Sequence, residues 1–164
     1  MHLRPMIGIA FATSSITTTT FAAPEFGMSA GIAEALATKP HLAHAGLYLN
    51  LGVSMVFDTG WGYVIPGLAL TGAPDTGAIG LVASCSVDFP IIRDVVGFDL
   101  TVLALTDQPG FHFGDAIVLV GGGPGITVAL PASWSLSVGV NGLFGPFGAD
   151  PGLSLVALAG HAFR

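Results

Sequence analysis

Basic residues are nearly missing from this chain: Lys and Arg total four in 164 residues, against ten acids. A chain this acidic carries no electrostatic footprint for nucleic acid, and that partner class is excluded. Cysteine is represented by Cys85 alone. No intrachain disulfide is therefore available, and Cys85 lies too far from the N-terminus to serve as a lipoprotein anchor there. Charge of either sign makes up 9% of the residues, where about a quarter is usual for a soluble domain. Long apolar runs are lacking too. No stretch of about 18 or more residues escapes interruption by Gly or Pro, which argues against membrane-spanning helices.

What the chain does contain is apolar and turn-forming. Hydrophobic residues make up 52%, mean hydropathy is +0.79, and there are 24 glycines and 11 prolines. Each Gly or Pro costs a helix interior roughly 1 to 3 kcal/mol relative to Ala, so strands are favoured over long helices. The length fits one domain.

The N-terminus reads as an export signal. Arg4 sits in a short n-region, Met6 to Ala12 is apolar, and Ala22 and Ala23 are small. Residues 1–22 are expected to be a signal peptide, residues 23–44 a tether or short helix, and residues 45–164 a β-barrel. Within the tether, Ala30 to Thr38 suits a short helix that Pro40 would stop.

From Ala45 to Phe57 the chain alternates. Leu47, Leu49, Leu51, Val53, Met55 and Phe57 form one large apolar row, and Tyr48, Asn50, Gly52, Ser54 and Val56 form the other. A two-residue period places these rows on opposite faces of a strand. Neither row carries Lys, Arg or Glu, which a sheet facing bulk water would need. The pattern recurs in Trp61 to Thr71, in Ile79 to Phe89, in Val96 to Leu105, in Ser133 to Asn141 and in Leu153 to Phe163. Two shorter apolar runs, Ala116 to Val120 and Ile126 to Leu130, flank Gly121-Gly122-Gly123-Pro124-Gly125 and suggest a hairpin or bent pair. The expected strands number about eight, most of them near the roughly 9–11 residues that a tilted membrane strand needs.

In hydrocarbon every backbone polar group must be paired within the protein, so strands span only as a closed barrel. The large uncharged rows suit lipid, and the rows of Gly, Ser, Asn, Thr and Asp suit the interior. The fold expected is therefore all-β, an antiparallel up-and-down barrel. The polar residues expected in its lumen are Asn50, Asp88, Asp99 and Asn141. Asp88 and Asp99 belong to the small-residue faces of neighbouring strands, with Arg93 and Asp94 between them. Either an ion-selective lumen or a structural pair that neutralises buried charge would follow, and the cost of unpaired burial favours the pair.

With its signal-like N-terminus, its alternating strands and the closing Gly160-His161-Ala162-Phe163, the chain resembles the small bacterial outer-membrane β-barrel proteins. The resemblance covers roughly Ala45 to Arg164, and Arg164 departs from it by following the terminal aromatic. It implies residence in the outer membrane, with a lipid bilayer as partner; a homo-oligomer is compatible with it.

Motifs for chemistry are weak. The glycine run after Val120 has Ile126 where a dinucleotide fingerprint needs Gly or Ala, and strands rather than a helix follow it. His41 and His44 lack a third ligand. His112 stands between Phe111 and Phe113, as an interfacial loop residue would. His161 would need a serine partner to form a hydrolase dyad, and no G-x-S-x-G motif accompanies it. No catalytic residue, cofactor site or metal site is expected. The reading is a non-enzymatic outer-membrane barrel, structural or a narrow pore. Two alternatives stand beside it: a secreted all-β subunit of a self-assembling filament or shell, and a lipid-modifying barrel enzyme.

Overall fold

The computed structural model describes residues 24–37, 46–75, 77–108, 117–145 and 152–163. The expected signal peptide, His41, His44 and His112 lie outside them. Eight strands follow one another: β1 (Glu25–Ala37), β2 (Gly46–Asp58), β3 (Tyr63–Ala73), β4 (Ala78–Ile92), β5 (Val96–Gln108), β6 (Ile117–Leu130), β7 (Trp134–Phe144) and β8 (Gly152–Phe163). Each pairs antiparallel with its sequence neighbours, and β8 pairs back to β1 from Phe26↔Phe163 to Ala37↔Gly152. Closure leaves no edge strand and pairs the ladders all round, as hydrocarbon demands.

The two ends differ. One end carries both strand termini and the turns 59–62, 93–95 and 131–133; the other carries the longer connections 38–45, 109–116 and 145–151 together with the turn 74–77. They are termed here the terminal end and the loop end.

The count of eight strands agrees with expectation, but its membership does not. Within residues 23–44, expected to be a tether or short helix, Glu25–Ala37 form the strand β1. Phe26, Met28 and Ile32 point outward, alternating with inward Gly27, Ser29 and Ala33. The Ala-rich composition suits a helix locally, but a β1 helix would leave β2 and β8 as unpaired edges, and ladder closure overrides propensity. Conversely, the two short runs around the glycines are one strand, β6, unbroken from Ile117 to Leu130. A Cβ at Gly122 would collide with the carbonyl oxygen of Thr101, and one at Gly123 with that of Val140. The glycines therefore let β5 and β7 approach β6 closely rather than turning the chain. The segment expected from Val96 to Leu105 extends as β5 to Gln108 and includes Asp107.

Burial alternates along every strand. In β2 the row Leu47, Leu49, Leu51 is about half exposed while Tyr48, Asn50, Gly52 and Ser54 are buried. The outward row runs through Leu68, Leu81, Val102, Ile126, Val138 and Leu155 without a charge among them, and on β1 it includes Glu34, beside Leu155 and Leu47 toward the loop end. Water would oppose such a surface at about 25 cal/mol per Å², whereas hydrocarbon does not. Toward the terminal end the band finishes in aromatics: Trp61 lies 5.6 Å from Phe89, and His161 lies between Trp134 and Phe163 at 4.8 and 4.9 Å. Aromatic girdles of this kind mark membrane interfaces.

Pro66, Pro90 and Pro124 sit within strands and each coincides with a defect. The β2–β3 ladder has no pairs between Ser54↔Gly67 and Phe57↔Val64, the β6–β7 ladder none between Gly122↔Gly142 and Gly125↔Gly139, and β4–β5 shifts register between Pro90 and Ile92. Proline has no N–H to donate, and a closed barrel has no edge to hide it on.

Candidate functional site

The inward faces divide the lumen into two layers. Toward the loop end, Ala33, Tyr48, Val82, Leu103, Leu105, Leu119, Leu143, Val156 and Leu158 form one apolar cluster. Toward the terminal end the inward residues are mostly polar, closed off by a smaller cluster of Val56, Tyr63 and Ile65.

The polar layer is built across four strands. Asp88 of β4 and Asp99 of β5 are direct partners in the register, and both are 1% exposed. Thr127 Oγ1 donates to Asp99 Oδ2 at 3.2 Å, and Thr101 Oγ1 to Asp99 Oδ1 at 3.5 Å. The hydroxyls of Thr101 and Ser86 lie 2.8 Å apart, and those of Thr127 and Ser137 2.9 Å apart. A chain of hydroxyl and carboxylate groups thus links β4, β5, β6 and β7. Room for the carboxylates comes from glycine: a Cβ on Gly97 would overlap the Asp88 carboxylate, and one on Gly125 that of Asp99.

Asp88 stands outside this network, and neither of its oxygens has a hydrogen-bond partner. Tyr63 faces it in the β3–β4 register. The expected ion pair with Arg93 is not formed, because Arg93 is exposed in the turn 93–95 while Asp88 and Asp99 point inward. Arg93 is also the one Lys or Arg among the described residues, so no inward-facing base balances the two carboxyl groups. Asn50 and Asn141 are likewise buried in the lumen. Both polar atoms of the Asn50 side chain and Oδ1 of Asn141 lack partners. The supporting hydroxyls of Thr101, Thr127, Ser86 and Ser137 carry the site as much as the aspartates do. Their signal in the sequence was parity alone, and for Thr127 the split of β6 obscured it.

The remaining candidates do not join this layer. His161 belongs to the outward row of β8, with Nδ1 2.7 Å from the Ala162 carbonyl oxygen and flanked by the two aromatic rings. Its register partners are Trp134 and Met28, not serines. Cys85 lies on the outer side of β4, opposite Pro66.

Among solved structures, the chain is similar to Neisserial surface protein A, with a TM-score of 0.50 at 17% identity over 85% of this chain and 96% of that one. The fold is that of a small outer-membrane barrel. The outer membrane enzyme PagL also matches, with a TM-score of 0.49 at 14% identity over 82% of this chain and 98% of that one. No protein-family model and no curated protein matches the chain. In barrels of this architecture short turns face the periplasm and long loops the exterior. By that convention the two lumen layers are termed here the periplasmic polar layer and the external apolar one.

Proposed function

We propose that the protein is a non-catalytic barrel of the outer membrane with a structural role, its lumen closed to solutes. The observation that carries this reading is the side-chain fill of the loop half. Tyr48, Val82, Leu105, Leu119 and Leu143 are each at most 1% exposed, and they meet across the full width of the barrel. An eight-stranded barrel is just wide enough for side chains to fill it, and here they do. A narrow pore would need a continuous polar path, and the apolar cluster interrupts it.

The absence of a catalytic role is supported by the placement of His161, whose ring faces outward among aromatics at the membrane interface rather than toward a hydroxyl nucleophile. Planar-bilayer recording on the purified full-length barrel tests the reading. The expected result is no step conductance above that of the bare bilayer, and steady ohmic steps from the unmodified protein would overturn it.

A further inference from the structure

Where the β2–β3 ladder is interrupted, the outer wall is concave. A groove of about 400 Å³ opens there, bounded by Phe26 of β1, Val53 and Met55 of β2, and Pro66 and Leu68 of β3. Ser54 and Gly67, the last register pair before the gap, belong to the inward rows and yet complete its lining. The groove therefore cuts into the wall, because Gly67 has no side chain to fill it and Pro66 offers β2 no N–H. It lies on the periplasmic side, just before β2 ends at Asp58 and just after β3 begins at Tyr63, at the depth where hydrocarbon meets the interface.

The outward lining is wholly apolar: Phe26, Val53, Met55, Pro66 and Leu68 carry neither a charge nor a side-chain hydrogen-bond donor. An ionic or sugar group finds nothing there to hold it, whereas the volume is within the range of small-ligand sites. The surroundings of this wall in the membrane are acyl chains. Lipid tails are as apolar as leucine, so a chain gains nothing from leaving water and any preference for the groove comes from close packing. On a convex wall a chain touches protein along one side. In the groove it is met from three strands at once, and dispersion contacts that are small singly add up along its length. A second barrel fits less well, since a stable protein interface buries about 1,000 Å² or more and a convex wall does not reach down to Ser54 and Gly67.

We propose that the groove is a lipid site that holds one acyl chain of a phospholipid from the periplasmic leaflet. The chain lies between Met55 and Leu68 against Phe26, with its glycerol end toward the interface. Pro66 and Gly67 create the site by opening the ladder and leaving the floor unfilled.

The test uses the full chain, purified in a mild non-ionic detergent, with phosphatidylethanolamine as the probe. Native mass spectrometry is expected to show retention that saturates at one lipid per barrel. Val53→Phe and, separately, Leu68→Phe put a larger ring into the groove and should weaken retention by about tenfold or more, the scale on which overfilling a packed site acts. Heat-modifiable migration in gels reports whether each variant has folded. The position is read with phosphatidylethanolamine carrying a brominated acyl chain, which quenches tryptophan on contact. With Trp61 and Trp134 both replaced by Phe, Phe26→Trp reports on the groove; with Trp61 alone replaced, Trp134 of β7 reports on the far wall. Quenching of the groove reporter should be complete near one equivalent of brominated lipid, while that of Trp134 should rise only with the lipid content of the micelle. The same dependence at both positions, or undiminished retention in a folded ring variant, would overturn the proposal. So would a lipid-free barrel dimer as the retained species, which would make a second copy the occupant.

Discussion

In the external half of the lumen, Val82 of β4, Leu105 of β5, Leu119 of β6 and Leu143 of β7 pack directly on one another, and nothing about them requires a hydrogen bond. In the periplasmic half the same four strands contribute Ser86, Asp99, Thr101, Thr127 and Ser137, each tied to a named partner, while Asp88 beside them has none. Apolar fill is non-directional and is satisfied by volume. Polar fill is directional, and each orphaned group costs about 1–3 kcal/mol. Orphaned polar atoms occur in both halves, at Thr71, Ser154 and Asn50 toward the loop end and at Asp88 and Asn141 in the polar layer. One half of the barrel thus closes the lumen by volume alone, and the other depends on directional pairing.

The sharpest way to break this contrast is to put the chemistry of one half into the other. Val82→Asp places a carboxylate at a position that is 0% exposed, in a cluster that is aliphatic apart from Tyr48. The expected loss is at least about 3 kcal/mol, enough to prevent recovery of a heat-modifiable barrel. A folded variant of unchanged urea midpoint would mean that the external half is wetter than its packing implies. Leu143→Ala keeps the apolar character and removes volume instead. It is expected to cost about 2–4 kcal/mol in urea unfolding. Combined with Leu105→Ala and Leu119→Ala, it should open a measurable conductance if these side chains are what seals the lumen.

Much of this contrast was legible in the sequence, because parity alone assigns rows to faces. Leu47 to Phe57 and Trp134 to Val140 announced an apolar outer row, and Asn50, Asp88, Asp99 and Asn141 fell on the opposite one. Two kinds of information were not legible. The first is whether an alternation built from small residues is a strand at all. Gly27, Ser29, Ala30, Gly31 and Ala33 carry too little contrast to separate period two from a helix, and only ladder closure to β8 decides it. The second is how inward residues from distant strands meet. That Asp99 is reached by Thr127 and that Gly125 clears space for its carboxylate depend on register, which strand lengths and turns set jointly. The glycine run misled for a related reason, since close backbone approach and a turn both call for glycine.

Within the periplasmic half, Thr127→Val tests whether the hydroxyl chain holds Asp99. The substitution keeps the shape and removes the donor to Asp99 Oδ2 and the hydroxyl neighbour of Ser137. It is expected to cost about 1–3 kcal/mol. In an Asp99→Asn background the penalty should shrink, and a double-mutant cycle reads the difference as their coupling. Strict additivity would show that Thr127 acts through packing alone.

The smallest expected effect concerns the wall rather than the lumen, and it too separates the halves. Pro66 lies on the periplasmic side of β3, where the β2–β3 ladder loses the pairs that would join Met55 and Val56 to Pro66 and Ile65. The outer surface above the gap is an apolar groove bounded by Phe26, Val53, Met55 and Leu68. Pro66→Val restores an N–H facing β2 and adds a β-branched side chain suited to a strand. The ladder should then close, with a gain of about 0.5–1 kcal/mol, the usual net worth of a hydrogen bond. Amide exchange provides the direct reading, because protection should appear at position 66 and increase at Met55. If the midpoint rises without that protection, the gain comes from strand propensity and the gap is set by the curvature of the barrel. If protection appears, proline itself holds the periplasmic wall open, beside the same layer in which the carboxylates gather.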